Sequence, residues 1–174
     1  MRMNKTKIQF ITEAAIIAAI YTVLVLVFQF SSFGPIQFRI AEALTILPYF
    51  TPAAIPGVTL GCFLSAVWSG AHVLDMVFGS LATLIGAILS YQLRRHKYLV
   101  PIPPIVANAL IIPWVLRYTI VSNDSIPYMM LTVGLGEVCA AGFLGLMLLF
   151  ALNRVKHIIF PDRNTIVPKL KPHK

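Results

Sequence analysis

The sequence predicts an all-α integral membrane protein, a bundle of six transmembrane helices with a short second helix and both termini in the cytoplasm. Three observations predict it. Of 174 residues, 58% are hydrophobic and 11% charged, against roughly 45–50% and about 25% in soluble domains, and mean hydropathy is +0.83. Long apolar tracts follow one another along the chain. The 14 Lys and Arg, set against 6 Asp and Glu, gather in clusters between those tracts. A formal net charge of +8 raises nucleic acid as a partner, but such proteins carry their basic residues on a wet surface, and little wet surface is left here.

A transmembrane helix needs about 20 mostly apolar residues. The first tract, Ile8–Phe30, meets that requirement. The second, Ile40–Gly70, is overlong and interrupted by Pro48, Pro52 and Pro56, so it reads either as one kinked span or as a hairpin. Charge decides, because Lys and Arg collect on cytoplasmic flanks. Arg2, Lys5 and Lys7 precede the first tract; Arg94, Arg95 and Lys97 follow the third, Val73–Leu93. Arg154, Lys156, Arg163, Lys169, Lys171 and Lys174 follow the last, Ile126–Leu152. All three clusters share one side only if the second tract crosses twice, as arms Phe38–Phe50 and Ala53–Gly70 turning at Thr51-Pro52. Leu99–Val121 supplies the fifth helix. The first hairpin arm, roughly 18 Å at α-helical rise, is too short to cross alone and must lean on neighbouring protein, a situation typical of cavities and binding regions.

The apolar run after Met1–Lys7 is too long for a secretory signal, and no small-residue cleavage site follows. Residues 1–153 therefore form the transmembrane domain and 154–174 a basic cytoplasmic tail, containing Pro161, Pro168 and Pro172, that lies near anionic lipid. Cys62 and Cys139 are expected as buried small hydrophobes, not as a disulfide. There is no Walker loop, His-Glu-x-x-His, Cys-x-x-Cys or Gly-x-Ser-x-Gly, and four scattered histidines make no metal site. Nothing asks for an enzyme.

Ionisable and amide side chains inside spans are costly and point to function. Arg39 and Glu42, three residues apart on the short second helix, read either as a structural ion pair or as ligand groups. Asp75 lies one turn beyond His72 at the outer start of the fourth helix, where capping is the plain alternative. Glu137 lies about 16 Å into the sixth helix among Gly134, Gly136, Ala140 and Ala141. A lone carboxylate there is protonated, paired or bound to something positive. Asn108 sits at similar depth on the antiparallel fifth helix, and Pro113 beyond it frees a backbone carbonyl. Trp114, Arg117 and Tyr118 share a face that an ideal helix turns away from Asn108. With Tyr49, Trp68 and His72 they supply either an aromatic wall or interfacial belt residues. Ala14-Ala15-Ile16-Ile17-Ala18-Ala19 carries two overlapping small-xxx-small steps, and Gly57–Gly61 repeats the spacing. Such steps pack helices within a bundle or dock another membrane protein.

Two sets of residues carry a family resemblance. One is the first-helix alanine stripe in a six-helix chain without an ATPase motif. The other comprises the stretches FGPIQFRIAEALTILPYFTPAAIPG (Phe33–Gly57), DMVFGSLATL (Asp75–Leu84) and PIVANALIIP (Pro104–Pro113). Over about Thr12–Leu152 the chain resembles the QueT family of queuosine-precursor transporters, substrate-binding (S) components of energy-coupling factor (ECF) importers. The resemblance implies capture of a 7-deazaguanine such as 7-aminomethyl-7-deazaguanine at the cell membrane. It also implies a transmembrane coupling protein docked on Ala14, Ala15, Ala18 and Ala19, and two ATPase subunits that use ATP, with no cofactor in this chain. Chemistry then suggests Glu137 for the ring N–H and amino donors, Asn108 for the adjacent pair, and Asp75 or Glu42 for an ammonium. Arg39 would orient Glu42 or face the ring carbonyl, and Trp68, His72 and Tyr118 would flank the base. Another vitamin or purine, or an autonomous proton-coupled transporter, stands as the alternative. Twelve of the fourteen basic residues but only two of the six acidic ones lie on the inner flanks. The remainder is slightly acidic, which suits a cationic base.

Overall fold

The structure, a computed structural model, describes residues 5–29, 39–119 and 125–159. The Phe33–Phe38 part of the motif, Arg2, Asp124 and the tail from residue 160, with its prolines and lysines, lie outside the described residues. Among the described residues the chain is all-helical, without strands. Helix α1 spans Lys5–Val27, α2 is a 3₁₀ helix over Ile40–Tyr49, and α3 spans Ala54–Trp68. Helix α4 opens with a π turn at Asp75–Gly79 and continues as Ser80–Gln92. Helix α5 spans Ile102–Thr119; α6 runs through Ile126–Glu137, a π turn at Val138–Leu144 and Gly145–Ile159. Among the described residues three helices are long and apolar enough to cross a bilayer by themselves: Lys7–Val27, Ile102–Thr119 and Ile126–Lys156.

Contacts fix the order of the rods. Gly57 lies against Ala14 and Ile17, and Gly61 against Ala18 and Tyr21, so α1 and α3 run parallel. Between them α2 runs the other way: Glu42 is level with Tyr21, whereas the following Thr51 donates to Glu13 at 2.8 Å. Thr51 Oγ1 also accepts from the Ala53 backbone N–H at 3.3 Å, which fixes the turn at the expected place. Gly86 meets Pro104, while Gly134 and Gly142 meet Ala109 and Ile105, making α4, α5 and α6 successively antiparallel. The hairpin thus brings Lys7, the Arg94–Lys97 loop and Arg154–Lys156 to one end of the bundle, as the charge argument required.

The second arm departs from expectation in its winding. Every residue from Ala41 to Pro48 is buried, and at about 2 Å per residue a 3₁₀ helix reaches roughly 20 Å from ten residues. It is thin and extended, and α1, α3, α4 and α6 pack around it. Its side chains at i and i+3 eclipse, so Glu42 and Thr45 stack, with Thr45 Oγ1 donating to the Glu42 carbonyl at 2.6 Å. The core follows this axis: Tyr21, Ile46, Val58, Val100 and Leu149 are almost fully buried. Large side chains such as Ile16, Val23, Leu60, Phe63, Leu131 and Phe143 face outward, an apolar exterior fit for lipid.

Helix α6 runs on to Ile159, so the expected boundary at 153/154 lies within it. Two expectations need correction. Cys139 is exposed while Cys62 is buried, both free, since Cys139 falls on the outward side of the π turn. Ala14 and Ala18 are 8% and 5% exposed and are packed inside the bundle against Gly57 and Gly61. Only Ala15 and Ala19 are exposed. The two overlapping steps therefore serve different faces, the first being spent inside the bundle.

Candidate functional site

Four elements bring ionisable and amide side chains to one buried level. Glu42 on α2 is fully buried, and Tyr21 on α1, also fully buried, donates its phenol proton to Glu42 Oε1 at 2.6 Å. Glu137 on α6 and Asn108 on α5 are 4% and 1% exposed, and Asn108 Nδ2 donates to Glu137 Oε1 at 3.0 Å. The reversed amide would set oxygen against oxygen, so the carboxylate dictates the orientation. Arg39, at the N-cap of α2, is buried within electrostatic reach of Glu42, Glu137 and Asp75. A Cβ built on Gly79 of α4 would stand 3.9 Å from its guanidinium.

The two pairs are built alike: each carboxylate has one oxygen engaged by an internal donor and a second left over. Among the described residues, Glu42 Oε2, Glu137 Oε2, Asn108 Oδ1 and Asp75 Oδ1 are buried without a hydrogen-bond partner. All four are acceptors, and a buried unsatisfied acceptor costs about 1–3 kcal/mol, more when charged. With Glu42, Glu137 and Asp75 ionised, one guanidinium faces three carboxylates, so negative charge is in excess. The four acceptors call for donors and positive charge.

The space beside the cluster is small. A recess of about 10 Å³ is bordered by Tyr21, Val25, Arg39, Cys62, Ser65, Ala66 and Asp75, at the bottom of the roughly 10–15 Å³ that one water needs. The large concavity, about 600 Å³, lies between α4 and α5 and is walled by Leu74, Phe78, Leu81, Leu110, Ile111, Trp114, Val115 and Tyr118. It holds no ionisable group other than a tyrosine and opens on the apolar exterior, so it is not where the polar chemistry lies.

Of the residues expected at the site, Arg39, Glu42, Asn108 and Glu137 are brought together. Asp75 is half-buried on the recess wall and stands in the first turn of α4, where a carboxylate is favoured by the helix dipole as well. The aromatic wall is not assembled: Trp68 and Tyr118 are 69% and 76% exposed, and His72 is exposed, its Nδ1 accepting from the Leu74 N–H. Tyr49 pairs edge-on with Phe50, ring centroids 4.9 Å apart, at the far end of α2. These rings decorate helix ends and outer faces, as Arg117 does. Sequence reasoning missed Tyr21. Its signal was the 14, 18, 21, 25 spacing of the buried α1 face, which sets a phenol among alanines and Val25.

A family model for the QueT transporter matches residues 11–154. A curated relative from Lactococcus lactis subsp. cremoris (strain MG1363), the queuosine precursor transporter QueT, is 40% identical over 85 residues, which cover 48% of this chain. The chain thus spans about half the length of that relative. No solved structure matches. The family is one of transporters, not enzymes, and the apolar helices agree with a multi-pass membrane protein. The family match takes in α2 and every member of the buried polar cluster, and the chain belongs to the QueT transporter family.

Proposed function

We propose that the chain is the substrate-binding component of an ECF-type importer, capturing a 7-deazaguanine queuosine precursor, of which 7-aminomethyl-7-deazaguanine is the best match. The observation that carries this reading is the buried set of leftover acceptors on Glu42, Glu137, Asn108 and Asp75. A deazaguanine edge supplies adjacent N–H and NH₂ donors, and its aminomethyl arm supplies one positive charge. The relative's name, queuosine precursor transporter, points the same way. The chain would sit in the cell membrane with six crossings and both termini inside. Its energy would come from two ATPases acting through a transmembrane coupling protein docked on the Ala15–Ala19 face. The chain itself needs no cofactor. Because the recess is smaller than the ligand, entry requires the outer ends of α1, α3 and α4 to part.

The test is calorimetric titration of the detergent-purified chain with 7-aminomethyl-7-deazaguanine. We expect tight binding that Glu137→Gln weakens by about a hundredfold, the loss of one charge-assisted hydrogen bond in a buried site. Unchanged affinity in Glu137→Gln would remove Glu137 from the site. Competition by other purines and vitamins ranks the ligand alternatives. The excess negative charge also admits a second reading, since protonation would reduce it. Proton-driven uptake by the chain alone in liposomes, without ATP or partners, would establish that reading and overturn the ECF one.

A further inference from the structure

We infer that Tyr21, which touches no ligand in the reading above, is the positioning residue that makes Glu42 the ammonium-binding arm of the site. The inference rests on that reading and deepens it. Tyr21 is fully buried and its phenol donates to Glu42 Oε1 at 2.6 Å, while Glu42 Oε2 is buried without a partner. Glu42 has a competing neighbour in Arg39, one 3₁₀ turn away on the same face. Without the phenol, both carboxylate oxygens are at liberty to turn onto that guanidinium, and the arm offered to a ligand cation is withdrawn. Glu137 is held differently, by Asn108, so the two carboxylates are set independently. The phenol's helix is itself placed by packing: Tyr21 Cβ lies against Gly61, where an added methyl would come within 2.7 Å, so α1 is held close to α3 at the level of Glu42. Tyr21 thus governs preference for a primary ammonium on a flat, donor-edged base, and leaves recognition of the base alone.

Two probes that differ only in the charged arm separate this from a merely structural role: 7-aminomethyl-7-deazaguanine and 7-methyl-7-deazaguanine, each titrated into the full-length chain in detergent. The wild type is expected to prefer the aminomethyl compound. Tyr21→Phe should weaken the aminomethyl compound by about tenfold, the lower end for a hydrogen bond to a charged group, and leave the methyl compound unchanged. Adding Glu42→Gln to Tyr21→Phe should then cost less than Glu42→Gln costs in the wild type. Equal losses for both probes, no loss, or strict additivity would overturn the inference. Should Tyr21→Phe not fold, Glu42→Gln carries the test, and an intact ammonium preference in it is equally fatal. A wild type that binds neither probe refutes the functional reading itself, a result distinct from any of these.

Discussion

Replacing Gly61 with alanine puts the α1–α3 contact to a quantitative test. The added Cβ would stand 2.7 Å from Tyr21 Cβ, 2.9 Å from the Ala18 carbonyl oxygen and 3.0 Å from Tyr21 Cγ. Ordinary contact begins near 3.4 Å, so the helices must separate by about 0.7 Å, and the carbonyl, being backbone, cannot rotate aside. Overpacking of this kind costs about 1–3 kcal/mol, and the backbone clash argues for the upper end. Alanine returns up to about 1 kcal/mol of helix propensity, leaving a net loss of roughly 2 kcal/mol. For a chain of this size that lowers Tm by about 4–8 °C. Gly134→Ala is the control: its nearest neighbour, Ala109 Cβ, is at 3.7 Å, so only the propensity gain applies and Tm should rise by about 2–4 °C. The assay is thermal unfolding in detergent followed by tryptophan fluorescence. Shifts of the same sign in the two variants would refute the reasoning.

Two further predictions concern residues that the structure moved out of the roles expected for them. Trp68→Ala and Tyr118→Ala should leave affinity for 7-aminomethyl-7-deazaguanine within about twofold, because both rings face outward; calorimetry on the purified variants checks this, and a tenfold loss in either would restore the aromatic wall. Ala18→Leu should destabilise the isolated chain by about 1–3 kcal/mol. Ala19→Leu should leave both its stability and its ligand affinity nearly unchanged while abolishing ATP-driven uptake in cells that contain the coupling protein. Equal stability losses in the two leucine variants would show that both faces are internal.

The architecture was legible because bilayer physics restricts it so strongly. Apolar length located the helices, and the distribution of Lys and Arg resolved the second tract into a hairpin that Thr51 and Glu13 then secure. Asn108 and Glu137 were legible as neighbours because they lie at similar depth on adjacent antiparallel helices; the hydrogen bond between them was not. Depth does not fix azimuth, however. The outward turn of Trp68 and Tyr118 depends on which side of each rod meets α2, and composition is silent on that. Tyr21 was hidden because a tyrosine in an apolar helix reads as bulk until the carboxylate opposite is known. The winding of α2 was equally hidden, since Pro48 and an alanine-rich run are compatible with either helix type.

The two π turns show how helical periodicity is adjusted to keep each buried stripe on α2. In α6 the buried positions Val133, Glu137, Ala141, Gly145 and Leu149 recur at intervals of four. On an ideal α-helix each such step overshoots by about 40°, and four steps carry Leu149 to the side opposite Val133. The wider i→i+5 turn at Val138–Leu144 absorbs the drift and keeps the stripe on α2. Helix α4 repeats the device: Asp75, Gly79, Thr83 and Ala87 are spaced by four, with a π turn at Asp75–Gly79. In both stripes a carboxylate stands at one edge of the π turn, and small residues follow on the same face. π turns of this kind are frequent at functional sites because they re-aim a side chain without breaking the helix. Here they turn α4 and α6 onto the slender α2, so that Asp75 and Glu137 reach the level of Arg39 and Glu42. Winding either turn as regular α-helix over the same residues would rotate the rest of its helix by about 100° and disperse the cluster.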